Sequence, residues 1–238
     1  MLQSILQGGS PRNVFINLIT YVSAILLAIV VHEWAHGFIA LKNGDETAKM
    51  YGRLTLNPLK HFDPFGLIMF FVVGIGWAKP VPINSNNFKN YRKGIFTVAI
   101  AGVCANLIMT FGAGALIAIT LLIVENVGIS NAFSEVFFTM IYRFLFYSLV
   151  INVSLIAFNL LPIFPLDGFR IVEAFSKTEN KYITFMRRYG IFVLFGFILI
   201  SDILGMINPY LDIFGMYVGS IQRGIFWIIR KIFNVPII

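Results

Sequence analysis

The sequence predicts an all-α polytopic membrane protein, with about five transmembrane helices and a re-entrant loop or hairpin between the first and second full spans. Three observations lead there. Hydrophobic residues make up 58% of the 238 positions and charged residues only 12%, with a mean hydropathy of +0.83, whereas soluble domains carry about a quarter charged residues. Several apolar runs reach the roughly 20 residues that cross hydrocarbon as a helix. The polar stretches between them are too short for a separate soluble domain, so residues 1–238 read as a single membrane-embedded domain.

The first span runs from Val14 to Leu41 and stops at the polar Lys42-Asn43-Gly44-Asp45. Residues 42–64 form a polar loop with turns at Asn57-Pro58 and Asp63-Pro64. Phe65 to Trp77 is apolar but short for a span and contains Gly66, Gly74 and Gly76. A run of this length suits a re-entrant or interfacial segment better than a crossing. Lys79-Pro80-Val81-Pro82 follows, where alternating prolines forbid helix and favour an extended edge. The second span covers Ile95 to Val124 and the third Phe137 to Leu161, which breaks at Pro162 and Pro165. Arg170 to Arg188 reads as a polar loop, and Tyr189 to Ile207 as the fourth span. The apolar tail from Pro209 is interrupted by Gln222-Arg223 and ends near Arg230-Lys231; it is a fifth span or an interfacial amphipathic helix, and a span is favoured.

The net charge of +7 does not call for nucleic acid. Loops 42–64, 79–94 and 170–188 hold thirteen of the eighteen Lys and Arg residues, while loops 125–135 and 201–209 hold none. The positive-inside rule places the rich loops in the cytoplasm. Cys104 is the only cysteine, so no intrachain disulfide forms. The N-terminus lacks a basic signal-peptide region.

His32-Glu33-Trp34-Ala35-His36 stands out within the first span. On a helix, two histidines four apart leave the same face and can bind one zinc ion, with the glutamate placed to take a proton from bound water. Ionisable groups at membrane depth are costly and usually serve function. The count from His36 to Leu41 puts the site on the order of 10 Å below the surface. Catalytic zinc usually takes three protein ligands. Candidates for the third are His61, Asp45, Glu46, Asp63 and Asp167. The first four lie in a polar loop, where charged groups are mostly solvated. Asp167 follows a proline-broken helix end at the inferred depth of the histidines, although an N-cap role would also suit it.

Together, His32-Glu33-Trp34-Ala35-His36 and the stretch Asn159 to Gly168, with Pro162, Pro165 and Asp167, resemble the site-2 protease family of intramembrane zinc metalloproteases. Gly52-Arg53, Asn57-Pro58, Lys60-His61, Asp63-Pro64 and Trp77 to Pro82 are similar to its short prokaryotic members, without PDZ or CBS domains. The resemblance covers about residues 30–175. It implies a zinc metalloendopeptidase domain in which His32, His36 and Asp167 hold one catalytic Zn2+ and Glu33 is the general base. Asn159 would steady the oxyanion; an interhelix hydrogen bond is its other reading. Asn106 resembles the asparagine of a family stretch in which Val103 here replaces a proline; it is grouped with Gly76, Pro80 and Pro82 as substrate-binding, with packing as the alternative. Phe164 and Phe169 depart from the family pattern beside the ligand motif.

The resemblance implies transmembrane protein or peptide substrates, a lipid bilayer as medium and no nucleic acid. It also implies a bacterial or archaeal cell membrane; the positive-inside rule puts the site near its cytoplasmic side. A non-proteolytic zinc-dependent transporter or scaffold on the same frame is the alternative function. The retained Glu33 separates the two, because a transporter has less need of a base beside a fixed metal.

Overall fold

The computed structural model describes residues 9–61, 63, 65–66, 79–176 and 180–236, and these are built almost wholly of helices. Helix α1 spans Pro11–Lys42, α2 Thr47–Met50, α3 Tyr91–Val127, α4 Ala132–Asn159, α5 Asp167–Phe175, α6 Lys181–Ile207 and α7 Ile213–Phe233. Short polar residues start most of them. Ser10, Asn90, Asn131, Asn180 and Asp212 each accept a backbone N–H of the first turn, and Asn131 forms a reciprocal capping box with Ser134.

Helices α1, α3, α4 and α6 are each long and apolar enough to cross a membrane. At 1.5 Å per residue the 37 residues of α3 reach roughly 55 Å, so its ends extend past a hydrocarbon layer of ~30 Å. Helix α7, favoured as a fifth span, is not among these four. It carries Gln222, Arg223, Arg230 and Lys231 and packs by its apolar side. Its Tyr217 hydroxyl donates to the Ala157 carbonyl at 3.1 Å, and its Gln222 amide to Ser154 Oγ at 2.9 Å. Ile229 sits so close to Gly114 of α3 that a Cβ there would lie 2.7 Å from it.

Helices α1, α3 and α4 pack mutually and form the centre of the bundle. Ala24 and Ala28, one turn apart on α1, let Ile151 of α4 approach closely. Ala113 and Ile117 of α3 meet Leu145 and Leu149 of α4. Buried hydroxyls in this core are satisfied by their own helices: Thr20 donates to the Ile16 carbonyl and Thr110 to that of Asn106, at 2.7 and 2.8 Å.

Residues 170–188, expected as a polar loop, instead contain α5 and the first turns of α6. The reason is amphipathicity. Helix α5 buries Gly168, Phe169 and Ala174, while Arg170 pairs with Glu173 one turn on at 3.3 Å. Ala174 packs on Ala40, Phe88, Ile95 and Val98, which seats α5 against the start of α3. Helix α6 holds α5 from the other side: Arg187 pairs with Glu173, and the Tyr182 hydroxyl donates to the Pro162 carbonyl. The expected re-entrant hairpin lies almost wholly outside the described residues; Phe65 and Gly66 are helical, and residues 79–84 carry no regular structure.

Asp45 and His61, read as solvated loop residues, are buried, with exposures of 0% and 1%. The loop is built on them. Asp45 accepts from the Thr47 and Asn84 backbone N–H groups and from the Thr47 and Asn87 side chains. His61 Nε2 donates to the Thr55 carbonyl at 2.8 Å, and its own carbonyl accepts from Lys79 N–H. Burial alone would raise the Asp45 pKa, but the bonds from Thr47, Asn87 and Asn84 outweigh it and hold the carboxyl below its ordinary value. The folded-state pKa is therefore the lower one. The stability it contributes is full above the unfolded-state value near ~3.9 and is lost as pH falls through the folded value. Wild-type melting temperature should drop below about pH 4, and Asp45→Asn should flatten that limb while costing ~1–3 kcal/mol at neutral pH. A thermal melt series from pH 7 to 3 checks both; parallel curves would exclude this role.

Candidate metal centre

Helix α1 presents His32 and His36 on one face, one turn apart, and both are buried. Their ring planes stand nearly perpendicular, at 87°, and their Nε2 atoms are 3.0 Å apart. Asp167, the first residue of α5, brings Oδ2 to 3.3 Å from each Nε2. Among the described residues these three are brought together as a set able to hold a metal ion. Of the other candidates for a third ligand, His61 and Asp45 are engaged in the loop as above. Asp63 accepts Gly66 N–H at 2.9 Å, and Glu46 is exposed before α2.

The outer ring nitrogens explain why the inner ones converge. His36 Nδ1 lies 2.7 Å from the Val98 carbonyl, which can only accept, so Nδ1 carries the proton and Nε2 offers a lone pair. His32 Nδ1 lies 2.8 Å from Asn106 Oδ1, and the same reasoning follows from that amide orientation. Two lone pairs and a carboxylate oxygen without a hydrogen-bond donor then face one another in a buried space. Such a group of acceptors repels unless a cation lies between them. N/O ligands at 2.0–2.2 Å around a tetrahedral zinc are separated by about 3.3 Å, and the three observed separations of 3.0, 3.3 and 3.3 Å suit that ion.

Gly102 on α3 makes the room. A Cβ there would lie 2.4 Å from His32 Cε1 and 2.6 Å from His36 Nε2. Val98, Gly102 and Asn106 recur every four residues, so one stripe of α3 backs both rings. The sequence carried this signal in its spacing, but the Val98 contribution is a backbone carbonyl and leaves no mark in residue type.

The site opens into a cleft of ≈ 430 Å3 lined by, among others, Glu33, Val81, Asn159, Asp167 and Arg170. Glu33 accepts the Val81 N–H at 2.9 Å, which holds its carboxylate beside the histidines. Asn159 donates one amide hydrogen to the Leu155 carbonyl at 3.0 Å, leaving its second N–H and its oxygen for the cleft. Pro80 also lines the cleft. Pro82 is half-buried and not on the cleft wall, and Gly76 lies outside the described residues. Asn106, grouped with substrate-binding residues, is fully buried behind His32 and does not line the cleft. Phe169 is likewise fully buried, edge-on to Phe164, and packs α5 in place.

Asn106→Ala removes the acceptor for His32 Nδ1. Zinc affinity, measured by chelator competition, should fall about 10–100-fold, and Asn106→Asp should restore most of it. Equal affinities in all three proteins would rule out the supporting role.

Three nitrogen and oxygen groups beside a carboxylate outside the set, with a cleft at the fourth side, make the pattern of a catalytic rather than a structural metal site, here set in a membrane helix bundle. The chain belongs to Peptidase family M50, whose profile matches residues 20–201. That family uses a catalytic zinc. The chain is similar to YwhC of Bacillus subtilis (43% identity over 152 residues, 64% of this chain and 67% of the relative). It is also similar to Rip2 of Mycolicibacterium smegmatis (29% over 161 residues, 66% and 57%). Both relatives bear the name "Putative zinc metalloprotease". No solved structure matches the chain.

Proposed function

We propose that this chain is an intramembrane zinc endopeptidase that hydrolyses peptide bonds in or near transmembrane segments of membrane-anchored proteins. The observation that carries this reading is the meeting of His32, His36 and Asp167 with Glu33 in one cleft, from helices far apart in sequence. Bound zinc would acidify a water and polarise the scissile carbonyl. Glu33 takes the proton of the attacking water and delivers it to the leaving amine. Val81 N–H orients the carboxylate for both transfers. The remaining amide hydrogen of Asn159 faces negative charge developing on the carbonyl oxygen. The two ligand rings, each pinned through Nδ1, suit a resident metal better than a transported one.

A transmembrane helix hides its peptide bonds, so cleavage needs local unwinding. Residues 79–84, which carry no regular structure of their own, supply a backbone partner. Their ends are tied down by Arg53 to the Lys79 carbonyl at 2.7 Å and by Asp45 to Asn84 N–H at 2.8 Å. An unwound substrate can pair with the Val81 carbonyl and with backbone groups of Ile83 on the cleft side, offsetting hydrogen bonds lost from its helix. Arg92, Arg170 and Arg187 gather at the metal-site end of the bundle. By the positive-inside rule that end is cytoplasmic, so cleavage would release domains or residual peptides there.

The test is incubation of purified protein with a labelled transmembrane peptide in detergent or liposomes. Cleavage that stops on chelation and returns with zinc is expected. Metal flux across liposomes, with no cleavage of any peptide, would replace this reading with a transporter.

A further inference from the structure

We propose that Arg170 reads a carboxylate on the substrate peptide, so that segments with an acidic residue close to the scissile bond are preferred. The proposal rests on the endopeptidase reading above. Among the described residues lining the cleft, Arg170 is the one lysine or arginine. It stands one helical turn after Asp167 on α5, so it reaches toward the same space as the metal ligands.

The charges of the cleft favour an anion. A divalent ion held there would be offset by Asp167 and Glu33, because histidines ligate a metal as uncharged imidazoles. Beyond them, Glu173 serves two guanidiniums at once: Oε1 pairs with Arg187, and Oε2 lies 3.3 Å from Arg170 Nη1. One carboxylate against two cations leaves a unit of positive charge. Both arginine side chains are about half exposed, 49% for Arg170 and 55% for Arg187, and Arg170 is the one that lines the cleft. The contact with Glu173 engages Nη1, and a guanidinium has five N–H donors with which to meet a second carboxylate.

The occupant follows from the walls. Val81, Ile83, Phe88, Ile95 and Val98 suit apolar side chains, and the anions a peptide can bring are Asp, Glu or its own C-terminus. An extended chain advances about 3.3 Å per residue, so a group one helical turn from a metal ligand is met within about three residues of the cleaved bond.

The experiment uses transmembrane peptides that differ only in Glu, Gln or Lys, scanned over three residues on each side of the cleaved bond. Amidated and free-acid C-termini distinguish a side chain from a chain end as the source of the carboxylate. Wild type should favour Glu over Gln by about tenfold in kcat/KM at one or two positions, as one charge-assisted pair predicts. Arg170→Glu should turn that preference toward Lys. Arg187→Ala leaves Glu173 to Arg170 alone, one carboxylate against one cation, and should weaken the preference for Glu.

A Glu/Gln ratio near one at every position would overturn the proposal, as would a preference unchanged in Arg170→Glu. A preference for Glu that grows in Arg187→Ala would contradict this charge balance and overturn the proposal. An effect that follows phosphatidylglycerol content instead of peptide charge would assign Arg170 to a lipid headgroup and overturn it too. If wild type cleaves none of the peptides, their affinities for Glu33→Gln still report the charge preference, separately from failure of the protease reading.

Discussion

Glu33→Gln should lower cleavage of a transmembrane peptide by about 10²–10⁴-fold while zinc stays at one ion per chain. The glutamine is isosteric and can still accept the Val81 N–H, so the side chain keeps its place in the cleft. It loses only the ability to take and return a proton. The ligand set of His32, His36 and Asp167 does not involve it. Zinc content and initial rates on the same preparation decide the matter. A variant that cuts within tenfold of wild type would remove Glu33 from the chemistry. One that loses zinc would make it part of the metal site instead.

Gly102→Ala should abolish zinc binding without unfolding the protein. The added methyl would stand 2.4 Å from His32 Cε1 and 2.6 Å from His36 Nε2, far inside van der Waals contact. The rings cannot retreat while Nδ1 of His36 is bonded to Val98 and Nδ1 of His32 to Asn106 on the same helix. Affinity should fall by at least the ~10–100-fold seen when supporting contacts are lost. Alanine is favoured over glycine within a helix by ~1 kcal/mol, so α3 itself should not suffer. Circular dichroism of the metal-free variant should match wild type as its zinc affinity collapses. Wild-type affinity in Gly102→Ala would show that the rings are not confined as described. Replacing His36 with alanine gives the reference for complete loss of the site.

Much of this site was legible before any coordinates. A pair of histidines four apart in an apolar run has few idle explanations, because charge and polarity are costly in hydrocarbon. Asp167 could be chosen over Asp45, Asp63 and His61 from its proline-broken, apolar setting. The four long spans were found within a few residues of their ends, except α6, which starts eight residues earlier, at Lys181 rather than Tyr189. The early start of α6 and the presence of α5 share one cause. Their charged residues look like loop, yet Arg170, Glu173 and Arg187 pair with one another and leave Phe169 and Ala174 to be buried.

The polar loop after α1 was misjudged for the converse reason. Asp45 and His61 are of residue types usually solvated, and here they are the loop's internal hydrogen-bonding centres. The pattern around Asn106 suggests a substrate contact. Only the packing of α3 on α1 shows that its oxygen faces His32.

By itself the sequence determined the class of protein, the metal motif and the carboxylate beside it, since these depend on residue type and spacing along one helix. Tertiary structure decided how the ligand set closes: which carboxylate joins the histidines, which tautomers they hold, and what room Gly102 leaves between them. It also decided that Val81 holds Glu33 and that Arg170 faces the same cleft. Each of these depends on distances between helices that the chain separates by tens of residues, and no local spacing encodes them.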